Sequence, residues 1–233
     1  MQKFEISMNK NHILLITVLL FSNFLIGQDK KEDKKHNFAI GINIGPNYNS
    51  LRGDSFADRY DSQFNYFFGF SFEYIIDENF SILNNINYEN KSYKSEYKGF
   101  DEVWTNTFEA EDITKIKNLN IPIFLKYKFG FEKEFHLNGG LFYNHILDIS
   151  NEKTNKETGE NLDGLDFNYL FKDKEFGVSI GIGSTFNLNQ KSNLTIEVRN
   201  DFGLNDIGDT SSGGISKTRT NTIKFIVNWN LTI

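Results

Sequence analysis

The stretch NLNIPIFLKYKFG (Asn118–Gly130) decides the fold. Apolar side chains occupy every second position from Leu119 to Phe129, and the alternate positions hold asparagine, proline, phenylalanine and lysine. Alternation with a period of two over this length predicts a β-strand with one apolar face. That face points either into a water-soluble core or outward into lipid, and the two directions describe different kinds of protein.

Seven further segments show the same alternation, so the sequence predicts eight strands. The other seven are Phe38–Gly45, Tyr66–Ile75, Phe80–Glu89, Phe135–Leu147, Phe176–Phe186, Leu194–Gly203 and Thr222–Ile233. Most are close to the length of about nine to eleven residues that a tilted strand needs to cross a bilayer. The composition agrees, because 24 phenylalanines and 10 tyrosines favour strands, and only 2 prolines interrupt them.

The connections between these segments alternate between long and short without exception. The long ones are Pro46–Asn65, Asn90–Asn118, Asp148–Glu175 and Leu204–Asn221. The short ones are Ile76–Asn79, Gly130–Glu134 and Asn187–Asn193. In an up-and-down meander this alternation collects the long loops at one end, as in outer-membrane barrels with short periplasmic turns.

The polar face of the strands decides which way the apolar face points. It is rich in small residues with few charges, which suits a narrow eight-stranded interior, whereas the apolar face is nearly free of charge, as lipid requires. Residues 38–233 are therefore predicted to form an all-β, eight-stranded antiparallel up-and-down transmembrane β-barrel. A soluble barrel is the alternative. The inward charges predicted to form a lumen ion-pair network are Glu73, Lys126, Glu197, Arg199 and Lys224.

The N-terminus has the pattern of an export signal. Lys3 and Lys10 precede the apolar run Ile13–Ile26, which predicts a cleaved signal peptide over residues 1–27 and a polar spacer over 28–37. A retained membrane anchor and translation from Met8 are the alternatives. Export by this route predicts residence in the outer membrane of a Gram-negative cell. There is no cysteine for lipid acylation, and a net charge of −6 argues against nucleic-acid binding.

Several outward positions are predicted to meet the membrane surface or a partner. Aromatic residues near strand ends are expected to form interfacial girdles, namely Tyr74, Tyr88, Tyr127, Phe129 and Trp229. Basic residues above the apolar bands are expected to contact lipopolysaccharide phosphates, namely Lys115, Lys117, Lys217 and Arg219. The loop stretch Tyr88–Phe108 is the predicted protein-contact patch, and its tyrosines and Trp104 are expected to be exposed. Pro122, inside a strand, predicts a bulge or a local break in the ladder.

NLNIPIFLKYKF resembles the signature strand of the PorT-like small outer-membrane β-barrel proteins, in which a Leu-x-Ile-Pro-x-x-Leu-Lys-Tyr pattern marks a middle strand. The matching residues are Leu119, Ile121, Pro122, Leu125, Lys126 and Tyr127. FGVSIGIGSTF and LTIEVRNDFGLNDI are similar to the family's next strands, with Arg199 at its lumen-facing arginine. Asn120 and the terminal Ile233 depart from the family pattern. One namesake of the family is associated with a protein-secretion and gliding system.

The function expected from these features is that of a binding, scaffold or envelope-integrity protein with a plugged lumen, which acts through its extracellular loops. The expected partners are outer-membrane lipid, lipopolysaccharide and a protein bound by the loops, with no cofactor and no metal. One alternative is an accessory component of a secretion apparatus. Another is a lipid A-modifying enzyme built on His145 with Ser150 and Glu152, although no tight nucleophile–base spacing supports it and no enzyme is predicted.

Overall fold

The structure, a computed structural model, describes residues 37–53, 57–100, 107–131, 134–162, 171–208 and 217–233. Within them, eight strands pair antiparallel in chain order, and β1 pairs with β8 to close the ring. The strands are β1 (Phe38–Gly53), β2 (Asp61–Ile75), β3 (Phe80–Phe100), β4 (Thr107–Phe129), β5 (Phe135–Asn155), β6 (Lys174–Asn187), β7 (Ser192–Gly203) and β8 (Thr218–Thr232). A short 3-10 helix, Ala57–Arg59, precedes β2. The predicted fold class is confirmed.

The polar face of every strand points into the barrel. Glu73, Lys126 and Arg199 are buried, whereas the neighbouring apolar side chains, such as Phe72, Leu125 and Val198, are exposed on the outer wall. A continuous apolar outer wall is unfavourable in water but matches the hydrocarbon of a bilayer. In the part of the chain that the structure describes, no helix is long and apolar enough to cross a membrane.

Every strand except β7 extends further at the long-loop end than the sequence predicted, and the longest extensions are in β1, β3, β4 and β5. β3 and β4 run on through most of the predicted loop Asn90–Asn118, and β5 continues to Asn155. β1 likewise continues past Gly45 to Gly53. These predicted loop boundaries were wrong because both faces of the extensions are largely polar, so no period-two apolar pattern marks them. Backbone pairing continues from Asn90–Lys117 to Phe100–Thr107 without a register shift.

The two prolines of the chain lie at one-sided gaps in the ladder. Pro122 keeps its register with β5, but the two pairs expected with β3 between Asn84–Ile123 and Asn87–Asn120 are missing. Pro46 is placed in the same way, paired with β2 but lacking its partner on β8. The prediction of a bulge or a local break at Pro122 is confirmed, and it takes the form of a break because the register is unchanged across the gap. The amide of Asn84 donates to the Pro122 carbonyl at 2.9 Å.

The predicted signal peptide, residues 1–27, lies outside the described residues, as does all but the last residue of the predicted spacer. The β-barrel itself belongs to one compact unit, His36–Ile233. The last residue, Ile233, donates its backbone N–H to the Phe38 carbonyl at 2.8 Å. The start of β1 and the end of β8 therefore lie together at the short-turn end.

Candidate functional site

The lumen is filled by layers of ion pairs, and the first lies nearest the short-turn end. Glu73 on β2 contacts Lys126 at 3.0 Å and Lys128 at 2.8 Å, both on β4. The Ser81 hydroxyl donates to the same carboxylate at 2.6 Å. A buried carboxylate is tolerated when cations and hydrogen-bond donors surround it, and Glu73 meets this condition.

The second layer is centred on Glu197 of β7. Its carboxylate contacts the Arg199 Nε at 2.6 Å and the His136 Nε2 at 3.2 Å. The Arg199 guanidinium also lies over the Phe124 ring, 4.2 Å from its centroid. A planar guanidinium can bond a carboxylate along its edge while its face covers an aromatic ring, so one buried arginine contacts both Glu197 and Phe124.

The third and fourth layers continue toward the long-loop end. Lys224 on β8 bonds to Glu89 on β3 and lies 2.6 Å from the Asp201 carboxylate on β7. Above it, the Glu175 carboxylate accepts hydrogen bonds from Lys91 at 3.5 Å and Asn144 at 2.6 Å, and from Thr220. The contacts of Lys224 with Glu89, and of Glu175 with Lys91 and Thr220, join strands that are not neighbours in the ring. The contacts Lys224–Asp201 and Asn144–Glu175 join adjacent strands, so the interior is cross-linked both across the lumen and along its wall.

The structure places all five residues of the predicted lumen network inside the barrel. Glu73 contacts Lys126 directly, and Glu197 contacts Arg199. Lys224 instead pairs with two carboxylates outside the predicted set. The titratable lumen residues that the predicted set missed are Glu89, Lys91, Lys128, His136, Glu175 and Asp201. The alternation of inward and outward residues could have found them. Lys91 and Glu175, for example, are the next inward-facing positions beyond the predicted segments Phe80–Glu89 and Phe176–Phe186.

The space beside the first two layers is small. The cavity beside Glu73, Lys126 and Arg199 measures about 10 Å³, which is about the space for one water molecule. At the long-loop end an apolar cluster of Tyr93, Ile116 and Ile149 follows the ion pairs. A one-residue register shift on β5, between Lys117 and Asn118 of β4, turns Ile149 inward to join it. Among the described residues, therefore, the geometry offers no open channel.

Beyond the barrel wall, β3, β4 and β5 form a three-stranded sheet (Lys94–Phe100, Thr107–Lys117 and Asp148–Asn155), here named the extracellular sheet. Its outer face carries alternating charges. Lys94 contacts Glu111 at 2.5 Å and Glu96 at 3.0 Å, and Lys156 contacts Glu96 at 2.9 Å. The hydrogen bond to Glu111 raises the pKa of Lys94, and the hydrogen bond from Lys156 lowers the pKa of Glu96.

The predicted contact patch Tyr88–Phe108 is only partly exposed. Tyr97 and Phe100 are exposed on the extracellular sheet, with relative accessibilities of 43% and 52%. Tyr93, by contrast, is buried at 1% because it follows Glu89 and Lys91 on the inward parity of β3. The predicted exposure of that tyrosine was wrong. Trp104 lies outside the described residues.

The predicted lipopolysaccharide contacts divide into two groups. Lys115 and Lys117 lie on β4, while Arg219 and Lys217 lie at the start of β8, four strands away around the ring in either direction. Three of the four already have a carboxylate partner, in the pairs Lys115–Glu152 (2.5 Å), Lys117–Asp148 (2.9 Å) and Arg219–Asp206 (3.1 Å).

The predicted girdle residues lie at the two rims of the outer wall. At the short-turn rim, Tyr74 contacts the Phe38 ring at 5.0 Å, and Tyr127 lies 6.1 Å from the Phe129 ring. Trp229 donates its indole N–H to Ser192 at 2.8 Å at the same rim. Tyr88 belongs to the opposite rim, where its ring lies 5.5 Å from that of Phe68.

The candidate catalytic residues are not assembled into a site. His145 and Ser150 are five residues apart on β5, roughly 15 Å at the rise of an extended strand. Glu152 is paired with Lys115 rather than with either of them. Among the described residues, no group of three or more His, Asp or Glu side chains is placed to hold a metal ion.

A family model described as "Outer membrane protein beta-barrel domain" matches residues 26–209. The chain belongs to this family. Membership supports residence in the outer membrane, and the apolar wall of the barrel agrees with it. A comparison with curated proteins gives no match.

Solved structures of outer-membrane barrels are similar to this chain at low identity. Neisserial surface protein A is 13% identical, with 84% of this chain and 97% of that chain covered and a TM-score of 0.46. OprG from Pseudomonas aeruginosa is 16% identical, with 84% and 95% covered and a TM-score of 0.41. The outer-membrane protease OmpT from Escherichia coli is 10% identical, with 88% and 99% covered and a TM-score of 0.41.

Proposed function

We propose that this protein is a closed outer-membrane barrel that serves as a binding or scaffold protein through its extracellular sheet. The observation that carries the proposal is the continuation of β3, β4 and β5 well beyond the lipid-facing band, as an ordered, ion-paired surface. A membrane anchor alone would need strands of only about nine to eleven residues, whereas β4 has 23.

The filled lumen supports the same proposal. Charged layers and the apolar cluster around Tyr93 leave no path for a solute through the described part of the barrel. Since transport through the interior is not supported, the chemistry available to a partner lies on the surface. Exposed Tyr97 and Phe100 beside alternating charges offer both apolar contact and charge complementarity to a protein.

A secretion-apparatus role is the second candidate, and it depends on the PorT-like motif at Leu119–Tyr127. We assign the chain to that branch of the family as part of the proposal. Within the motif, Lys126 contacts Glu73, and Pro122 produces the one-sided gap in the ladder. Both positions therefore have structural roles, which would favour their retention among relatives of differing function.

The proposal is tested by photo-cross-linking in intact cells. A photoreactive residue at position 97, on the extracellular sheet, is expected to give a discrete protein adduct. The same residue at Phe131, an exposed position in the short turn between β4 and β5, is the matched control and should give none. An adduct from position 131 alone, with a periplasmic secretion component, would favour the second candidate and contradict the first.

A hairpin-shortened variant provides the second arm of this test. Replacing Tyr97–Ala110 by Asn-Gly joins Glu96 to Glu111, which already face each other in register, through a two-residue turn. The barrel wall is untouched, so heat-modifiable migration on a gel should be kept. Loss of the partner with a retained barrel supports binding through the sheet, and full retention of the partner refutes it.

A further inference from the structure

An apolar groove of about 540 Å³ lies on the outer wall of the barrel, across β4 and β5. It runs from Leu125 and Gly139 toward Tyr143 and Phe176, and Gly139 and Tyr143 are about 13 Å apart along the strand. The other outward side chains that line it are Ile82, Ile121, Ile123 and Leu141.

The groove exists because one outward position lacks a side chain. Gly139 pairs with Leu125 of β4 and Ile180 of β6, both of which project outward from the wall. A Cβ atom built on Gly139 would meet nothing within 4 Å. Gly139 therefore does not serve close packing or an unusual backbone angle, and its effect is to leave a depression in a wall otherwise covered by large apolar groups.

The upper end of the groove is closed by aromatic rings and followed by basic groups. The rings of Tyr143 and Phe176 lie 5.0 Å apart. One outward position higher, His145 pairs in register with Lys174. Lys174 is exposed, and its ammonium forms no ion pair with any described residue. The Nδ1 of His145 is buried and has no hydrogen-bond partner. Lys117 on β4 is different, because Asp148 already balances its charge.

We propose that this groove binds an acyl chain of a phosphorylated lipid, whose phosphate contacts Lys174. This lysine lies on the long-loop side of the groove, which is the extracellular side in an outer-membrane barrel. A ligand with hydrocarbon below and phosphate above at that depth has the chemistry of lipopolysaccharide in the outer leaflet. The inference rests on membership of the outer-membrane family and is independent of what the extracellular sheet binds.

The test is native mass spectrometry of the detergent-purified full chain with added lipopolysaccharide, dephosphorylated lipopolysaccharide or phosphatidylglycerol. In Gly139→Leu the new Cβ meets nothing within 4 Å, and the side chain enters the groove. The affinity of this variant for lipopolysaccharide is expected to fall severalfold, because the acyl chain loses its packing contacts with the groove while it remains in the apolar interior of the micelle. Heat-modifiable migration verifies that the variant has folded.

The phosphate contact is tested by Lys174→Gln, with Lys98→Gln as its matched control. Lys98 is an exposed lysine on the extracellular sheet that forms no ion pair with any described residue. Lys174→Gln is expected to weaken lipopolysaccharide binding about threefold and to abolish the preference over the dephosphorylated form, whereas Lys98→Gln should change neither. If Gly139→Leu binds lipopolysaccharide as tightly as the wild type does, the groove is not the binding site. If the two lysine variants behave alike, Lys174 does not contact the phosphate. If phosphatidylglycerol binds more tightly than lipopolysaccharide, lipopolysaccharide is not the ligand.

Discussion

Replacing Lys224 by methionine tests how the lumen is stabilised. The Lys224 side chain is completely buried and bonds to Glu89 and Asp201, and its ammonium lies 5.6 Å from the centroid of the Phe67 ring. Lys224→Met keeps most of the side-chain volume and removes the positive charge. Two buried carboxylates are then left without their shared cation.

The expected loss follows from the burial of these groups. Removing one partner of a buried ion pair typically lowers the free energy of unfolding by about 3–5 kcal/mol, because the remaining charge is uncompensated. Here two carboxylates are affected, so we expect a loss of at least about 3 kcal/mol. The matched control is Lys115→Met, which breaks the exposed pair with Glu152. Exposed pairs contribute at most about 1 kcal/mol.

The free energy of unfolding is measured by reversible urea unfolding of the barrel in lipid vesicles, with heat-modifiable migration as the measure of the folded fraction. A triple variant, Lys224→Met with Glu89→Gln and Asp201→Asn, removes all three charges and should recover most of the loss. Equal stability of Lys224→Met and Lys115→Met would refute the reasoning. So would a triple variant that is less stable than Lys224→Met.

Three further predictions address the backbone and the extracellular sheet. Pro122→Ala supplies a backbone N–H on the side that faces β3, where the Asn84 side chain already contacts the carbonyl of residue 122. We expect the ladder between β3 and β4 to close, so that the new amide is protected from hydrogen exchange. Fast exchange of this amide would show that the gap persists. Gly45→Ala should cost about 1–3 kcal/mol, because its Cβ would lie 1.8 Å from the Phe225 carbonyl oxygen, whereas Gly139→Ala, whose Cβ meets nothing, should be neutral in the same unfolding assay. The pKa of Glu96, measured by NMR titration, should lie below the ordinary value for a glutamate because of its hydrogen bond from Lys156. The ion pairs of Glu96 with Lys156 and Lys94 are therefore intact when the pH is above the ordinary pKa, and they are lost as the pH falls through the lowered pKa. If the pKa of Glu96 does not rise toward the ordinary value in Lys156→Gln, the hydrogen bond from Lys156 is not the cause.

The barrel wall was predictable from the sequence because lipid on one side and a narrow lumen on the other impose opposite chemistry on alternate residues. β7 illustrates this, since the predicted segment Leu194–Gly203 and the observed strand end at the same residue. Short turns reinforce the pattern by bounding each strand at the periplasmic end. The facing of Glu197 and Arg199 followed directly from the same alternation.

The extracellular sheet and the choice of ion-pair partners were not predictable in this way. Tyr93 and Lys94 lie in a strand whose two faces are both largely polar or charged, so the period-two signal is absent although the ladder continues. Lys224 reaches Glu89 across the lumen from a strand 135 residues away in the chain. Such contacts depend on the register around the whole ring, which no local pattern contains.

The charged layers contribute to the fold chiefly by making alternative registers costly. A buried ion pair is often no more stabilising than well-packed apolar groups of the same volume, yet a one-residue slip of β7 would turn Arg199 and its two acidic neighbours toward lipid. Arginine facing lipid at the bilayer midplane costs about 2–4 kcal/mol. The same slip would turn Phe202 inward, into a lumen so narrow that a Cβ on Gly181 would lie 2.5 Å from the side-chain oxygen of Asn138. An apolar lumen would leave the two faces of each strand chemically alike, so the ion pairs are what distinguish the inside of this barrel from its outside.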